Sequence, residues 1–137
     1  KMTDQDRILV AAADESSRRE IELLLHDNGF GVETTGDCDA ALRTLETFKP
    51  HLVILDLAGS PDAAIECCRK IKNQRETQET KVLMLGDHEE RRSISEAFNA
   101  GSDDYIYAPI DELQLLTMVR ELLQFTYLRR LLQSRAG

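Results

Sequence analysis

The sequence predicts an α/β fold in which a parallel β-sheet is covered by helices on both faces. Continuous apolar runs, typical of strands buried on both sides, occur at residues 8–13, 52–55, 82–85 and 105–107, with a weaker one at 31–35. Amphipathic helical patterns alternate with these runs five times, which favours β-α units and a parallel sheet. In such sheets the functional groups lie at the carboxyl ends of the strands.

The helices are predicted from capping residues and from apolar residues at helical spacing. Residues 17–20 (SRRE) and 87–90 (DHEE) have capping patterns, Asp37 can cap the second helix, and the last helix starts near Asp111. The apolar faces are formed in turn by Ile21, Leu24 and Leu25; by Ala41, Leu42, Leu45 and Phe48; by Ile65, Cys68 and Ile71; by Ile94, Ala97 and Phe98; and by Leu115, Leu116, Val119, Leu122 and Leu123.

Composition excludes several functional classes. A chain of 137 residues favours one domain, and its net charge of −8 argues against nucleic-acid binding, which needs clustered Lys and Arg. Apolar runs stay well below the roughly 18–20 residues that span a bilayer, and the first residues, KMTDQDR, lack the apolar core of a signal peptide. We therefore expect a cytoplasmic protein that binds no membrane, with its three cysteines reduced.

Neither the cysteines nor the histidines have the spacing of a metal site. Cys67 and Cys68 are adjacent in a predicted helix and point about 100° apart, so they cannot easily form a disulfide with each other. We expect Cys68 in the core and Cys67 partly exposed. The histidines His26, His51 and His88 are scattered, and we expect them at the surface or in loops.

Four segments carry a family resemblance. They are residues 7–10 (RILV), 49–57 (KPHLVILDL), 82–85 (VLML) and 101–109 (GSDDYIYAP). In register, they resemble the first, third and fourth strands and the last loop of the receiver domain of bacterial two-component response regulators. The resemblance covers about residues 7–125. It implies a flavodoxin-like three-layer sandwich with five parallel strands in the order 2-1-3-4-5, five helices and, here, an extended last helix.

The resemblance also implies a chemistry. A receiver takes a phosphoryl group from a histidine kinase or a small phosphodonor onto an aspartate, which matches Asp56 here. Its other groups are an acidic pair that helps hold Mg²⁺, a switch hydroxyl and a Lys that pairs with the phosphoryl oxygens. These groups fall on Ala12, Ala13, Gly86 and Ala108 in this sequence, none of which has the required side chain.

We therefore interpret the chain as a degenerate receiver, not an enzyme, without catalytic residues or cofactor. It would act independently of phosphorylation, through protein–protein contacts. The alternative is a working phosphoacceptor whose Mg²⁺ is held by Asp56, Ala58 and displaced acids, Asp14 and Glu15. At most, such a receiver would catalyse its own phosphorylation and dephosphorylation at Asp56.

The acids near the strand ends also have simpler roles. Asp14 and Glu15 can favour the N-terminus of the first helix, where acidic residues are stabilising. Asp87 can reach the pocket or act as an N-cap. If Asp56 is partly buried without a cation beside it, its pKa should rise. A small-ligand site needs a phosphate cradle after the first strand, and Ala11-Ala12-Ala13-Asp14 provides a poor one.

Tyr105 and the end of the chain point to an output surface. Tyr105 matches the aromatic switch position of the family, and Gly86 leaves space for it to pack inward; an ordinary strand tyrosine is the alternative. We assign residues 1–126 to the receiver-like domain and residues 127–137 to a helical extension. Its leucines at 128, 131 and 132 favour a connector to an output domain or a homodimer seam, although an overhanging helix with a basic end is also possible. A signalling protein or a histidine kinase is the other expected partner.

Overall fold

A computed structural model describes residues 5–87, 89 and 91–136, in which five strands and five helices alternate. The elements in chain order are β1 (Arg7–Ala11), α1 (Glu15–Asp27), β2 (Gly31–Thr35), α2 (Cys38–Phe48), β3 (Leu52–Asp56), α3 (Pro61–Lys72), β4 (Lys81–Gly86), α4 (Arg91–Asn99), β5 (Asp104–Tyr107) and α5 (Glu112–Ala136).

The strands form one parallel sheet in the order β2-β1-β3-β4-β5, so the predicted topology is confirmed. The parallel register aligns the carboxyl ends of β1, β3 and β4 along one edge of the sheet. The apolar runs locate every strand to within two residues. β1 ends earlier than predicted because the chain turns away at Ala12, although its N–H still donates to the Thr35 carbonyl at 3.1 Å.

Two apolar clusters lie on opposite faces of the sheet. Leu9 and Val53 face α2, α3 and α4, whereas the alternate strand residues Ile8, Val10 and Ile54 face α1 and α5. All five side chains are at most 1% exposed. Each such burial stabilises the fold by roughly 1.5–3 kcal/mol. This two-sided burial explains why the strands are continuous apolar runs without alternation.

The helix starts test the capping predictions. The Asp37 carboxylate accepts a hydrogen bond from the Ala40 N–H at 2.7 Å, as predicted. The prediction that a capping box at residues 17–20 starts the first helix is wrong. α1 begins at Glu15, and its N-cap is Asp14, whose carboxylate accepts a hydrogen bond from the Ser17 N–H at 2.8 Å. Asp14 takes the role because the chain leaves β1 early, which allows one more helical turn. Within the second pattern, His88 and Glu90 lie outside the described residues.

α5 continues through residues 126 and 127 as one helix of 25 residues, about 37 Å long. Its distal part contacts loops at the amino end of the sheet. Arg129 lies 3.3 Å from the Glu79 carboxylate, and Arg130 lies 3.3 Å from Asp6. Among the described helices, none is both long and apolar enough to cross a membrane.

Candidate functional site

Asp56 is the last residue of β3, where the strand emerges from the core. The four preceding residues of β3 are fully buried, whereas Asp56 is only partly buried. Its Oδ1 accepts a hydrogen bond from the backbone N–H of Ala58 at 2.9 Å. The carboxylate therefore stands at the carboxyl edge of the sheet, held by the turn that follows it.

The pKa of Asp56 is raised from its ordinary value, mainly by burial of the carboxylate. The negative charges of Asp14 and Asp87 raise it further, and the hydrogen bond from Ala58 partly opposes the shift. The rise has the direction predicted for a partly buried carboxylate.

Ala12 and Ala13 follow β1 at the same edge. Ala12 is 2% exposed, whereas Ala13 is exposed to solvent. Their carbonyl oxygens accept from the guanidinium of Arg18, Nη1 lying 2.8 Å from Ala12 and 3.4 Å from Ala13. The two positions thus present methyl groups and carbonyls already bound to Arg18, where the family resemblance implies carboxylates.

Gly86 and Ala108 end β4 and follow β5, respectively. The Ala108 N–H donates to the Gly86 carbonyl at 2.7 Å, which joins the two positions directly. The methyl group of Ala108 packs against the cluster under α1 and α5. Gly86 thus brings no hydroxyl and Ala108 no ammonium group to the strand ends.

A cleft of about 340 Å³ borders Asp56. It extends towards α2 and α3, not towards Gly86 and Ala108. Its lining includes residues of the β1–α1, β2–α2 and β3–α3 connections: Ala11, Ala12, Ala13, Gly36, Asp37, Cys38, Asp56, Ala58, Gly59, Ser60 and Ala63. A larger cleft, of about 450 Å³, lies at the opposite end of the sheet, near Lys49, and is remote from these groups.

The displaced acids hold local hydrogen bonds. Hydrogen bonds from the backbone and hydroxyl of Ser17 lower the pKa of Asp14, which keeps this N-cap ionised. Asp87 accepts from the Glu89 N–H at 2.9 Å, and Glu15 is exposed in the first turn of α1. Asp14 therefore caps the helix, as the simpler of its two interpretations predicts.

The oxygen donors at the strand ends differ from the Mg²⁺ site that the family resemblance implies. Asp56 and Asp14 each already accept a backbone N–H, and Ala12 and Ala13 add no carboxylate. Across residues 5–87, 89 and 91–136, no three His, Cys, Asp or Glu side chains are grouped so that they could hold a metal ion. Mg²⁺ is usually bound in octahedral geometry through one or two carboxylates and several waters, and Asp56 and Asp14 are the acids that follow β3 and β1 at this edge.

Tyr105 points into the core. The residue is 8% exposed and belongs to the cluster under α2, α3 and α4. Its ring makes an edge contact with Tyr107, with 5.1 Å between centroids. Tyr107 is 38% exposed, so the pair extends from the core to the surface of the edge strand.

The partial exposure predicted for Cys67 is wrong. Cys67 is 1% exposed and Cys68 is fully buried, because α3 is covered by the sheet on one side and by neighbouring helices on others. The Cys68 sulfur lies 3.8 Å from the Ala100 carbonyl, and burial raises its pKa to about 11. Cys67 instead lies beside Cys38, which is on the wall of the cleft. Reasoning from the sequence missed this neighbour, because a separation of 29 positions along the chain gives no local signal.

Two of the histidines, His26 and His51, lie at the surface or in a loop, as the sequence predicts. His26 is exposed in the last turn of α1. The Nδ1 atom of His51 accepts from the Arg7 N–H at 3.0 Å, so this side chain joins β1 to the loop before β3. His88 lies outside the described residues.

The strand order and the place of Asp56 at the end of β3 are those of a receiver of two-component signalling, and comparison with known proteins agrees. The response regulator receiver domain family matches residues 8–120, so the chain belongs to that family. It is 32% identical over 123 residues to the response regulator MprA of Mycolicibacterium vanbaalenii, covering 88% of this chain and 51% of MprA. It is 29% identical over 122 residues to the transcriptional regulatory protein ResD of Bacillus subtilis, covering 89% and 50%.

A solved structure extends the comparison to α5. NtrX from Brucella abortus is 27% identical and superposes with a TM-score of 0.84, over 96% of this chain and 29% of NtrX. The chain spans about half the length of the curated relatives it matches.

Proposed function

We propose that this receiver domain signals through protein–protein contacts that do not depend on phosphorylation of Asp56. The observation that carries the proposal is the composition of the strand ends. Ala12, Ala13, Gly86 and Ala108 stand where phosphoryl transfer needs acids, a hydroxyl and an ammonium group.

The electrostatics of the site favour the same conclusion. Phosphorylation would replace the single negative charge of the Asp56 carboxylate by the roughly two negative charges of an acyl phosphate, at a site where Asp14 and Asp87 already raise the pKa. Loss of one preorganised charge-stabilising group typically costs roughly 3 kcal/mol of barrier, or a factor of about 100–1,000 in rate. The absence of several such groups would make phosphoryl transfer to Asp56 too slow to signal.

Exposed apolar side chains on α4, β5 and α5 support contact with a protein partner. Phe98 of α4, Tyr107 of β5 and Leu113 of α5 are 46%, 38% and 72% exposed, and β5 is an edge strand of the sheet. We propose that an attached output domain or a signalling partner binds there, with a second copy on α5 as a further candidate. A histidine kinase remains a partner only if Asp56 accepts phosphate.

Phosphorylation of the intact chain tests the proposal. The protein is incubated with acetyl phosphate and Mg²⁺, and its mass is measured. We expect no gain of about 80 Da, the mass of a phosphoryl group. A matched variant, Ala13→Asp with Gly86→Ser and Ala108→Lys, should gain that mass and lose it again when Asp56→Asn is added. A gain by the unmodified chain that Asp56→Asn removes would overturn the proposal.

The alternative, a working phosphoacceptor with displaced acids, is favoured by one observation. Asp14 lies close enough to Asp56 to raise its pKa. If the unmodified chain is phosphorylated, Asp14→Asn and Glu15→Gln should each be tested. A Mg²⁺-dependent mass gain that either substitution abolishes would establish the alternative, whereas one that both retain would exclude a role for these acids.

A further inference from the structure

Cys38 is the thiol that faces the cleft beside Asp56. It is the first residue of α2, directly after the N-cap Asp37, and it is half-buried. Its side chain forms part of the wall of the 340 Å³ cleft that Asp56 borders. A small solute that enters this cleft therefore lies next to Cys38.

Cys67 lies behind Cys38. It is on α3, 1% exposed, in the apolar cluster against which Cys38 packs. Cys38 packs against the apolar cluster that contains Cys67, and the two thiols lie close enough to shift each other's pKa, so the N-terminus of α2 and the middle of α3 meet near this pair of cysteines. Cys68 takes no part, because its sulfur lies beside the Ala100 carbonyl.

The pair is chemically unequal. Hydrogen bonding with Cys67 lowers the pKa of Cys38, while burial and the charges of Asp37 and Asp39 oppose the shift. The same contact and burial raise the pKa of Cys67. Because the thiolate is the reactive form, the accessible partner is also the better nucleophile.

We propose that Cys38 and Cys67 form a peroxide-sensitive disulfide pair, in which Cys38 is the site of attack and Cys67 the resolving thiol. The Cys38 thiolate attacks one oxygen of hydrogen peroxide, the O–O bond breaks and hydroxide leaves, which gives a sulfenic acid. The Cys67 sulfur then attacks the Cys38 sulfur, and water leaves with the Cys67 proton. Two thiols are oxidised to a disulfide, and peroxide is reduced to water.

The bond would join α2 to α3 across the wall of the Asp56 cleft. This activity does not rest on the proposed function, because it requires neither phosphorylation nor a partner. An oxidant would then act as a signal at this cleft. The disulfide would also fix the position of the segment that carries Asp37 and Cys38.

Mass spectrometry of the whole chain tests the proposal. The reduced protein is treated with a few equivalents of hydrogen peroxide, alkylated with iodoacetamide under denaturing conditions and digested. We expect two thiols to escape alkylation, a mass loss of about 2 Da from the disulfide, and a cross-linked peptide pair that contains Cys38 and Cys67.

Three single variants assign the roles. Cys68→Ser should cross-link as the unmodified chain does, which makes it the matched control. Cys67→Ser should form no cross-link and should leave Cys38 as a sulfenic acid that dimedone traps. Cys38→Ser should give neither product. Circular dichroism checks folding, and Cys67→Ala replaces Cys67→Ser if the buried hydroxyl disrupts the core.

Other outcomes overturn the proposal. These are a dimedone adduct on Cys67 or Cys68, a disulfide that includes Cys68, cross-linking only between two chains on a non-reducing gel, or a stable Cys38 adduct in the unmodified protein without a bond to Cys67. Resistance of all three thiols to peroxide in the folded chain would overturn it too.

Discussion

Replacement of Asp56 by Asn should stabilise the protein at neutral pH. The Asn side chain keeps an oxygen that can accept the Ala58 N–H, but it removes a partly buried charge whose pKa is raised by burial and by Asp14 and Asp87. Each unit of pKa shift corresponds to about 1.4 kcal/mol, and partial exposure screens part of the repulsion. We expect a gain of about 0.5–1 kcal/mol in the free energy of unfolding, or about 1–4 °C in Tm.

The pH dependence of the stability gain distinguishes the removal of a buried charge from a change in packing. Because folding raises the pKa of Asp56 above 3.8, the folded chain binds more protons than the unfolded chain between 3.8 and the raised value. The contribution of Asp56 to stability therefore falls as pH rises through that window. The advantage of Asp56→Asn should be full above the window and should vanish below it.

Thermal unfolding followed by circular dichroism from pH 3 to 7 measures the effect. Glu20→Gln is the matched control, because it makes the same charge change at an exposed position in the middle of α1. An Asp56→Asn variant that is no more stable than the parent at pH 7, or whose advantage persists at pH 3, would refute the reasoning.

Three further predictions concern single contacts. Asp14→Ala should be about 1 kcal/mol less stable than Asp14→Ser in urea denaturation, because only serine can replace the helix cap; equal stabilities would contradict the cap assignment. Gly101→Ala should destabilise more than Gly29→Ala in the same assay, since both have positive φ but only the Gly101 methyl would meet Lys72, at 2.7 Å. Arg130→Ala should cost no more than about 1 kcal/mol, and the loss should shrink in 1 M salt; a loss unchanged by salt would exclude a screened ion pair.

Much of the fold could be predicted because two-sided burial leaves a strong mark on sequence. Strands such as β3 and β4 are continuous apolar runs, and their bounds are accurate to within two residues. The strand order came from the family resemblance, since apolar pattern alone does not order strands. The first residues of helices are harder to predict. Asp14 and Ser17 both have side chains that can cap a helix, and only the path of the chain after β1 selects Asp14.

The site could be predicted in part for the same reason. Asp56 and the positions of Ala12 and Ala108 follow from strand ends, which the apolar runs mark. The contact between Cys38 and Cys67 could not be predicted, because it depends on how α2 packs on α3. The burial of both Cys67 and Cys68 has the same origin: a helix covered on more than one side buries adjacent positions, whereas a one-sided amphipathic pattern predicts that one of them is exposed.

Arg18 explains how the strand ends remain stable without the family's charged groups. Its guanidinium donates to the carbonyls of Ala12 and Ala13, which closes the β1–α1 turn where carboxylates would otherwise stand. Both hydrogen bonds come from Nη1, so the guanidinium keeps its Nε and Nη2 donors outside this turn. Arg18 therefore stabilises the turn with one of its nitrogens, and the proposal that signalling does not require phosphorylation rests on the missing acids, hydroxyl and ammonium group rather than on this cation.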